Sequence, residues 1–209
     1  MKRTFLSIAL LLFLFGIRSS AQTTIELIPT GGYTFPDQLN FYNNYGRIEG
    51  AANWGGSLQF NVNRNFGIEF MYNRIDASSG IYKYDYTTQI PVTSQNVAIN
   101  YIMAGPVSSV SFPGSPVHLF FGGELGAAVF SPGPVDYSGN TKFAWGVETG
   151  ANIYVNSYMG IRMKAQLLSA VGSSGGYYFG YFGGPAAYGY SYPAIYQFGL
   201  SAGIIIGLG

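Results

Sequence analysis

The chain has 209 residues, of which 9% are charged, 17% are aromatic and 30 are glycine. A soluble domain has about 25% charged residues, so this chain lacks the charge that keeps soluble globules apart. The absence of cysteine excludes a disulfide scaffold and a thiolate metal site, and a net charge of +1 does not favour nucleic acid as a partner.

Residues 1–21 have the three parts of a secretory signal peptide. Lys2 and Arg3 give the positive start, and an apolar run of 13 residues extends from Phe5 to Ile17. Small residues follow and end at Ala21, after which we expect cleavage. The apolar run is too short for a membrane anchor, since a spanning helix needs about 20 apolar residues.

The rest of the chain alternates between apolar and polar residues, which is typical of β-strands. In the clearest window, Phe143–Val155, the apolar residues Trp145 and Val147 alternate with Gly146 and Glu148. No later segment has the uninterrupted apolar length of a membrane helix. The pattern predicts eight strands, at Ile25–Tyr33, Trp54–Val62, Phe66–Asn73, Val97–Met103, Val117–Val129, Phe143–Val155, Met159–Leu167 and Tyr196–Ile206.

The links between these strands alternate in length. Two are tight turns, one is a longer link rich in proline, glycine and serine, and the others are loops. Short turns at one end and longer loops at the other are typical of an outer-membrane barrel. The turns are at 63–65 and 156–158, the longer link is at 104–116, and the loops are at 34–50, 74–95, 131–141 and 171–192.

Alternation alone does not say which face of a barrel is outside, because a soluble lipocalin-type barrel also alternates, with its apolar face inward. The polar face here is mostly glycine, asparagine, serine, glutamine and alanine, which would make a nearly uncharged soluble exterior. It suits the narrow interior of an eight-stranded barrel. We therefore predict an all-β, eight-stranded antiparallel up-and-down transmembrane barrel over residues 22–209. Its lipid-facing aromatic residues would include Trp54, Tyr72, Tyr101, Trp145 and Tyr196.

The opening segment Ile25–Phe35, IELIPTGGYTF, resembles the first strand of the OmpA/OmpX-type outer-membrane barrel proteins, in the variety common in Bacteroidetes. The resemblance covers residues 22–209 and rests on pattern, so it is specific for architecture and not for activity. It implies an integral outer-membrane protein surrounded by lipid and lipopolysaccharide. The outer-membrane assembly machinery would be its partner during biogenesis. The resemblance does not identify a surface ligand.

Four glutamates and two basic residues fall on the predicted interior face. A charge in a narrow lumen must be paired. With regular turns, Glu148 would face Gln166 and lie diagonal to Lys164, and Glu124 would face Glu148. We interpret the set as a plug that stabilises the barrel, because eight-stranded lumens are filled; a gated polar channel is the alternative. The set is Glu26, Glu69, Glu124, Glu148, Arg162 and Lys164.

His118 is the only histidine of the chain and falls on the interior face near a strand end. A hydrolase would need a nearby serine and carboxylate, yet no serine alternates with His118 and Glu124 is six residues away. We therefore predict no catalytic residues and no enzyme. No phosphate-binding, dinucleotide-binding or metalloprotease motif is present, so no cofactor or metal is implied.

The loop before the last strand is rich in tyrosine and glycine, which together make adaptable binding surfaces. It predicts a surface-contact site, a loop folded over the barrel mouth, or strands that extend past the lipid. Its candidate contact residues are Tyr177, Tyr178, Phe179, Tyr181, Tyr188 and Tyr190.

The predicted function is that of a noncatalytic outer-membrane barrel with a largely plugged lumen, in an envelope-structural or surface-interaction role. A narrow porin-like channel is the alternative, and a lipid-modifying outer-membrane enzyme is the second alternative.

Overall fold

A computed structural model of the chain describes residues 24–40, 44–83, 91–132, 140–171 and 195–208, which form ten β-strands. The predicted signal peptide lies outside the described residues. No described segment is a helix long and apolar enough to cross a membrane. The strands are β1 (Thr24–Thr34), β2 (Asp37–Asn40), β3 (Asn44–Ile48), β4 (Ala51–Asn63), β5 (Phe66–Lys83), β6 (Pro91–Ser111), β7 (Val117–Pro132), β8 (Asn140–Tyr154), β9 (Met159–Ala170) and β10 (Ile195–Gly207).

Eight of these strands close into an antiparallel barrel. The order around the ring is β5-β4-β1-β10-β9-β8-β7-β6, and β5 pairs with β6 to complete it. Closure gives each of the eight strands a neighbour on both sides, so the ring has no unpaired edge. The predicted eight-stranded antiparallel barrel is confirmed.

The short turns and both ends of the barrel chain lie at one end, which we call the turn end. Here Leu208 N–H donates to the Ile25 carbonyl at 2.8 Å. The prediction of a long link at 104–116 is wrong, because β6 continues to Ser111 and Val107 pairs with Gly122 of β7. Backbone hydrogen bonds to β7 stabilise a strand here despite the many proline, glycine and serine residues. The turn therefore contains only residues 112–116.

The strands also extend into the loops predicted at the opposite end, the loop end. β5 runs to Lys83 and β6 begins at Pro91, so most of the predicted loop at 74–95 belongs to these two paired strands. In the predicted loop at 34–50, β2 and β3 pair with each other, and β3 lies beside the last residues of β5. The barrel wall therefore continues past the predicted strand ends on this side.

The predicted faces hold for seven barrel strands and are wrong for β6. Tyr101 was assigned to the exterior but is 0% exposed and points inward, where its hydroxyl donates to Gln197 Oε1 at 2.7 Å. Val97, Ile99 and Met103 are buried on the same face, while Ile102 is exposed. Both faces of β6 carry apolar side chains, so alternation gives little contrast there.

The inward face of β6 belongs to an apolar cluster that fills the loop-end half of the interior. We call this cluster the apolar plug. It contrasts with the mainly polar interior that the sequence predicts. Its members are Ile48, Met71, Ile75, Ala77, Val97, Ile99, Tyr101, Met103, Ala128, Phe130, Ala144, Leu168, Ala170 and Ile195.

Inward glycines let neighbouring strands approach closely where the wall bends. A Cβ added at Gly126 would overlap the Ile102 carbonyl oxygen, and one added at Gly105 would overlap the Gly123 carbonyl oxygen. The neighbouring atoms are backbone and cannot rotate away. Glycine kinks of this kind supply the curvature that a small barrel needs.

We predict that Gly126→Ala lowers the free energy of unfolding by about 1–3 kcal/mol, because the added methyl group must displace the β6 backbone. The matched control is Gly123→Ala on the same strand, where a Cβ meets nothing within 4 Å. This control should leave stability unchanged or raise it by up to about 1 kcal/mol. Urea titration of the refolded proteins measures both, and equal effects of the two substitutions would contradict the close approach.

Candidate functional site

Five charged side chains form a belt across the middle of the interior, which we call the charged belt. It consists of Glu69, Glu124, Glu148, Arg162 and Lys164, and all five are buried. Alternate positions of β9 direct both basic residues inward, while β5, β7 and β8 supply the carboxylates. The belt separates the apolar plug from the turn end.

Arg162 lies at the centre of the belt and is 0% exposed. Its Nη1 donates to Glu69 Oε2 at 2.6 Å and its Nε donates to Asn152 Oδ1 at 2.9 Å. Its Nη2 donates to Gln59 Oε1. The guanidinium also lies over the ring of Phe120, 4.5 Å from the centroid. A buried guanidinium is tolerated when its donors are satisfied in this way.

Lys164 forms the second ion pair, with its Nζ 3.0 Å from Glu148 Oε2 and 3.4 Å from Met71 Sδ. Carboxylate oxygens of Glu69, Glu124 and Glu148 lie within 4.8 Å of one another, close enough to share a metal ion. The Lys164 ammonium interacts electrostatically with all three of these glutamates. The protein therefore supplies its own cation to these carboxylates.

The register confirms one expected pairing and corrects another. Glu148 faces Gln166 across the short turn, as regular pairing predicts. The expectation that Glu124 faces Glu148 is wrong, because Gly122 faces Glu148 and Glu124 faces Gly146. Each long carboxylate side chain thus lies opposite a glycine. Two carboxylates directly opposite each other would repel, and the observed register places them on a diagonal.

Glu26, the sixth residue of the predicted set, lies closer to the turn end. Its Oε1 accepts a hydrogen bond from the Tyr154 hydroxyl at 3.0 Å, and the ring of His118 lies 4.9 Å from that of Tyr154. The structure therefore brings five of the six predicted residues together and places Glu26 in a separate layer with the single histidine.

Sequence reasoning did not assign Gln59, Asn152, Phe120 or Tyr154 to the interior network. Each lies on the inward face of its strand, and the first two are amides that match the donors of a guanidinium. The sequence feature that could have identified them is their position on the predicted interior face. The candidate surface-binding residues of the tyrosine-rich loop (Tyr177, Tyr178, Phe179, Tyr181, Tyr188 and Tyr190) lie outside the described residues.

We predict that Arg162→Met lowers the free energy of unfolding by about 3–5 kcal/mol, because it leaves the buried Glu69 carboxylate without its cation. Arg64→Met is the control, since Arg64 is exposed in the turn between β4 and β5. Adding Glu69→Met to Arg162→Met should restore part of the loss by removing the isolated charge. Unfolding titrations of the four proteins provide the test; an Arg162 effect no larger than the Arg64 effect would refute the role of the belt.

Comparisons with known proteins identify the fold. Neither a protein-family profile nor a curated protein sequence matches this chain. Among solved structures, Neisserial surface protein A matches with a TM-score of 0.57 at 13% identity, covering 87% of this chain and 96% of that protein. The N-terminal barrel of Pseudomonas aeruginosa OprF (TM-score 0.46, 13% identity, 90% and 100% coverage) and Yersinia pestis Ail (0.43, 11%, 89% and 99%) are more distant. The first likeness shows that the chain shares the small β-barrel fold of a bacterial surface protein.

Proposed function

We propose that this chain is a noncatalytic integral protein of the bacterial outer membrane, with a sealed interior and a structural or surface-contact role in the envelope. It would cross the inner membrane by means of the signal peptide at 1–21. Outer-membrane lipid and lipopolysaccharide would surround it, and the barrel assembly machinery would insert it. The observation that carries the proposal is the inversion of the barrel, with charged residues buried inside and large apolar residues outside.

The apolar exterior supports a position in lipid. Large hydrophobic side chains are exposed on every barrel strand, which is far more apolar surface than a soluble monomer presents. A closed barrel satisfies its backbone hydrogen bonds internally, as lipid requires. Representative exposed residues, one from each barrel strand in chain order, are Leu27, Leu58, Phe70, Ile102, Leu125, Phe143, Ile161 and Leu200.

Aromatic residues border this apolar surface. At the loop end, the rings of Trp54 and Tyr72 meet edge to face at 6.2 Å, and those of Trp145 and Tyr196 meet at 6.4 Å. At the turn end, Tyr158 is exposed. Two aromatic girdles are typical of the two interfaces of an outer-membrane barrel. Short turns face the periplasm in such proteins, so the loop end would face outward from the cell.

The filled interior supports a sealed, noncatalytic barrel. A permeating ion would have to pass both the charged belt, whose Arg162 is fully buried, and the apolar plug. Interiors of eight-stranded barrels are wide enough only for side chains. The ring of His118 lies 4.9 Å from that of Tyr154, whose hydroxyl donates to Glu26 Oε1. This arrangement favours a structural role for the histidine over catalysis.

A charged substitution on the exterior tests whether that surface is in contact with lipid or with water. Phe121 is 60% exposed on β7 and lies closer to the turn end than Leu125, which pairs with Trp145 of the aromatic girdle. Phe121 therefore lies between the two girdles, and we predict that Phe121→Arg lowers the free energy of unfolding in lipid vesicles by about 2–4 kcal/mol. Val155→Arg is the matched control, because Val155 is 75% exposed at the turn end, where the cost falls to about 0–1 kcal/mol. In a water-exposed barrel both substitutions would be neutral, and that result would overturn the membrane assignment.

A sealed interior predicts that the refolded protein gives no stable unitary currents in a planar lipid bilayer, because the plug and belt leave no continuous path. A larger porin inserted in the same bilayer shows that a channel would be detected. Heat-modifiable gel migration of the same sample confirms that the barrel is folded. Stable unitary currents from the folded protein would replace the structural role with that of a narrow channel.

A further inference from the structure

The exterior changes from apolar to polar at the loop end of β4, β5 and β6. Along β5, the outward residues Phe66, Ile68 and Phe70 are apolar, and Arg74 and Asp76 follow nearer the loop end. Arg74 pairs across the sheet with Trp54 of β4 on one side and with Asn100 of β6 on the other. One row across three strands therefore presents an indole, a guanidinium and an amide.

Hydrogen bonds hold these side chains in place. Arg74 Nη2 lies 2.8 Å from Asp76 Oδ1, and its Nε donates to both carboxylate oxygens at 3.0 and 3.1 Å. The Tyr72 hydroxyl donates to Asn100 Oδ1 at 2.9 Å. The side chain of Trp54 also interacts with the Asp76 carboxylate. We call these five residues the Trp54 patch.

The patch is open to the outside. Trp54 is 52% exposed, and the side chains of Arg74 and Asp76 are 36% and 52% exposed. On β6, Asp76 pairs with a small residue, Ala98. This short neighbour leaves room beside the carboxylate for a bound group.

The second Trp–Tyr pair of the girdle, on the other side of the barrel, has a different setting, in which the Tyr196 N–H donates to Asp37 Oδ2 at 2.9 Å. Trp145 pairs with Leu125 and Ser169, and Ser169 pairs with Tyr196. The outward residues that follow towards the loop end on β8 are Phe143 and Thr141, neither of which is charged. The girdle thus contains two similar aromatic pairs, of which the Trp54 pair adjoins the Arg74–Asp76 ion pair.

We propose that the Trp54 patch binds the sugar headgroup of the glycolipid in the outer leaflet of the membrane. Sugars present apolar C–H faces that pack on an exposed aromatic ring, and hydroxyl groups that bridge planar polar side chains such as arginine, aspartate and asparagine. The ion pair makes the patch neutral, which favours hydroxyl groups over phosphates. Its position directly beyond the apolar band is that of the headgroups. The inference rests on the proposed membrane location.

Tryptophan fluorescence tests the proposal, because the chain has two tryptophans, one in each aromatic pair. Trp145→Phe retains Trp54, and Trp54→Phe retains Trp145 as the matched control. Both proteins are refolded in phosphatidylcholine nanodiscs and titrated with deacylated, dephosphorylated lipopolysaccharide oligosaccharide. We expect a saturable change in the emission of Trp54 and none in that of Trp145. Adding Arg74→Gln and Asp76→Asn to Trp145→Phe should weaken binding about tenfold, equivalent to about 1.4 kcal/mol.

The results that would contradict the sugar site differ from those that would contradict the membrane location. An unchanged Trp54 emission, or equal responses of both tryptophans, would overturn the sugar site. Binding that requires phosphorylated oligosaccharide would replace sugar recognition with ionic contact and likewise refute the proposal. Heat-modifiable migration and the Phe121→Arg result report the membrane barrel independently, so the sugar site can fail while the proposed function stands.

Discussion

The buried guanidinium of Arg162 is the interaction on which the interior depends. It extends from β9 and is held by Gln59 of β4, Glu69 of β5 and Asn152 of β8, with the ring of Phe120 from β7 packed against it. A slip of one residue in any of these strands would turn its contact residue to the exterior and leave a buried charge or amide unpaired. One side chain therefore fixes the register of five of the eight strands.

The glycine content follows from the same constraint. Long charged side chains in a narrow interior need empty space opposite them, and two inward glycines provide it by facing Glu148 and Glu124. A Cβ at Gly122 would lie 2.9 Å from Glu148 Oε1, and one at Gly146 would lie 2.7 Å from Leu168 Cδ2. Gly122 thus makes room for the charged belt, and Gly146 makes room for Leu168 of the apolar plug. Polar residues and glycines of the interior face therefore fill the barrel together, because the long side chains occupy the space that the glycines leave open.

Sequence reasoning succeeded where local pattern decides the outcome. On β8, Glu148 among apolar neighbours identifies the inward face, and the short turn after it fixes its pairing with Gln166. It failed on β6, where Tyr101 lies inward although both faces are apolar. It also misplaced the cross-strand partner of Glu124 by two residues, because the sequence of the loop between β7 and β8 does not define the register of these two strands. The contact of Arg162 with Glu69 crosses the interior between residues 93 apart, and no pairing rule between adjacent strands reaches that far.

Because the interior is filled and fixes the register of the strands, the outer surface is the part of the barrel that can vary. The two sides of that surface differ: Trp145 pairs with Leu125 and Ser169, whereas Trp54 pairs with Arg74, which forms an ion pair with Asp76 at the same aromatic girdle. The polar side is also the one where β5 continues beyond Arg74 to Lys83 with β3 beside it. In the proposed membrane location, strands that extend past the apolar band would need a polar outer face, because they would leave the hydrocarbon and enter the layer of headgroups and water. The extended wall and the polar row at its base would then be two consequences of one boundary, the surface of the membrane.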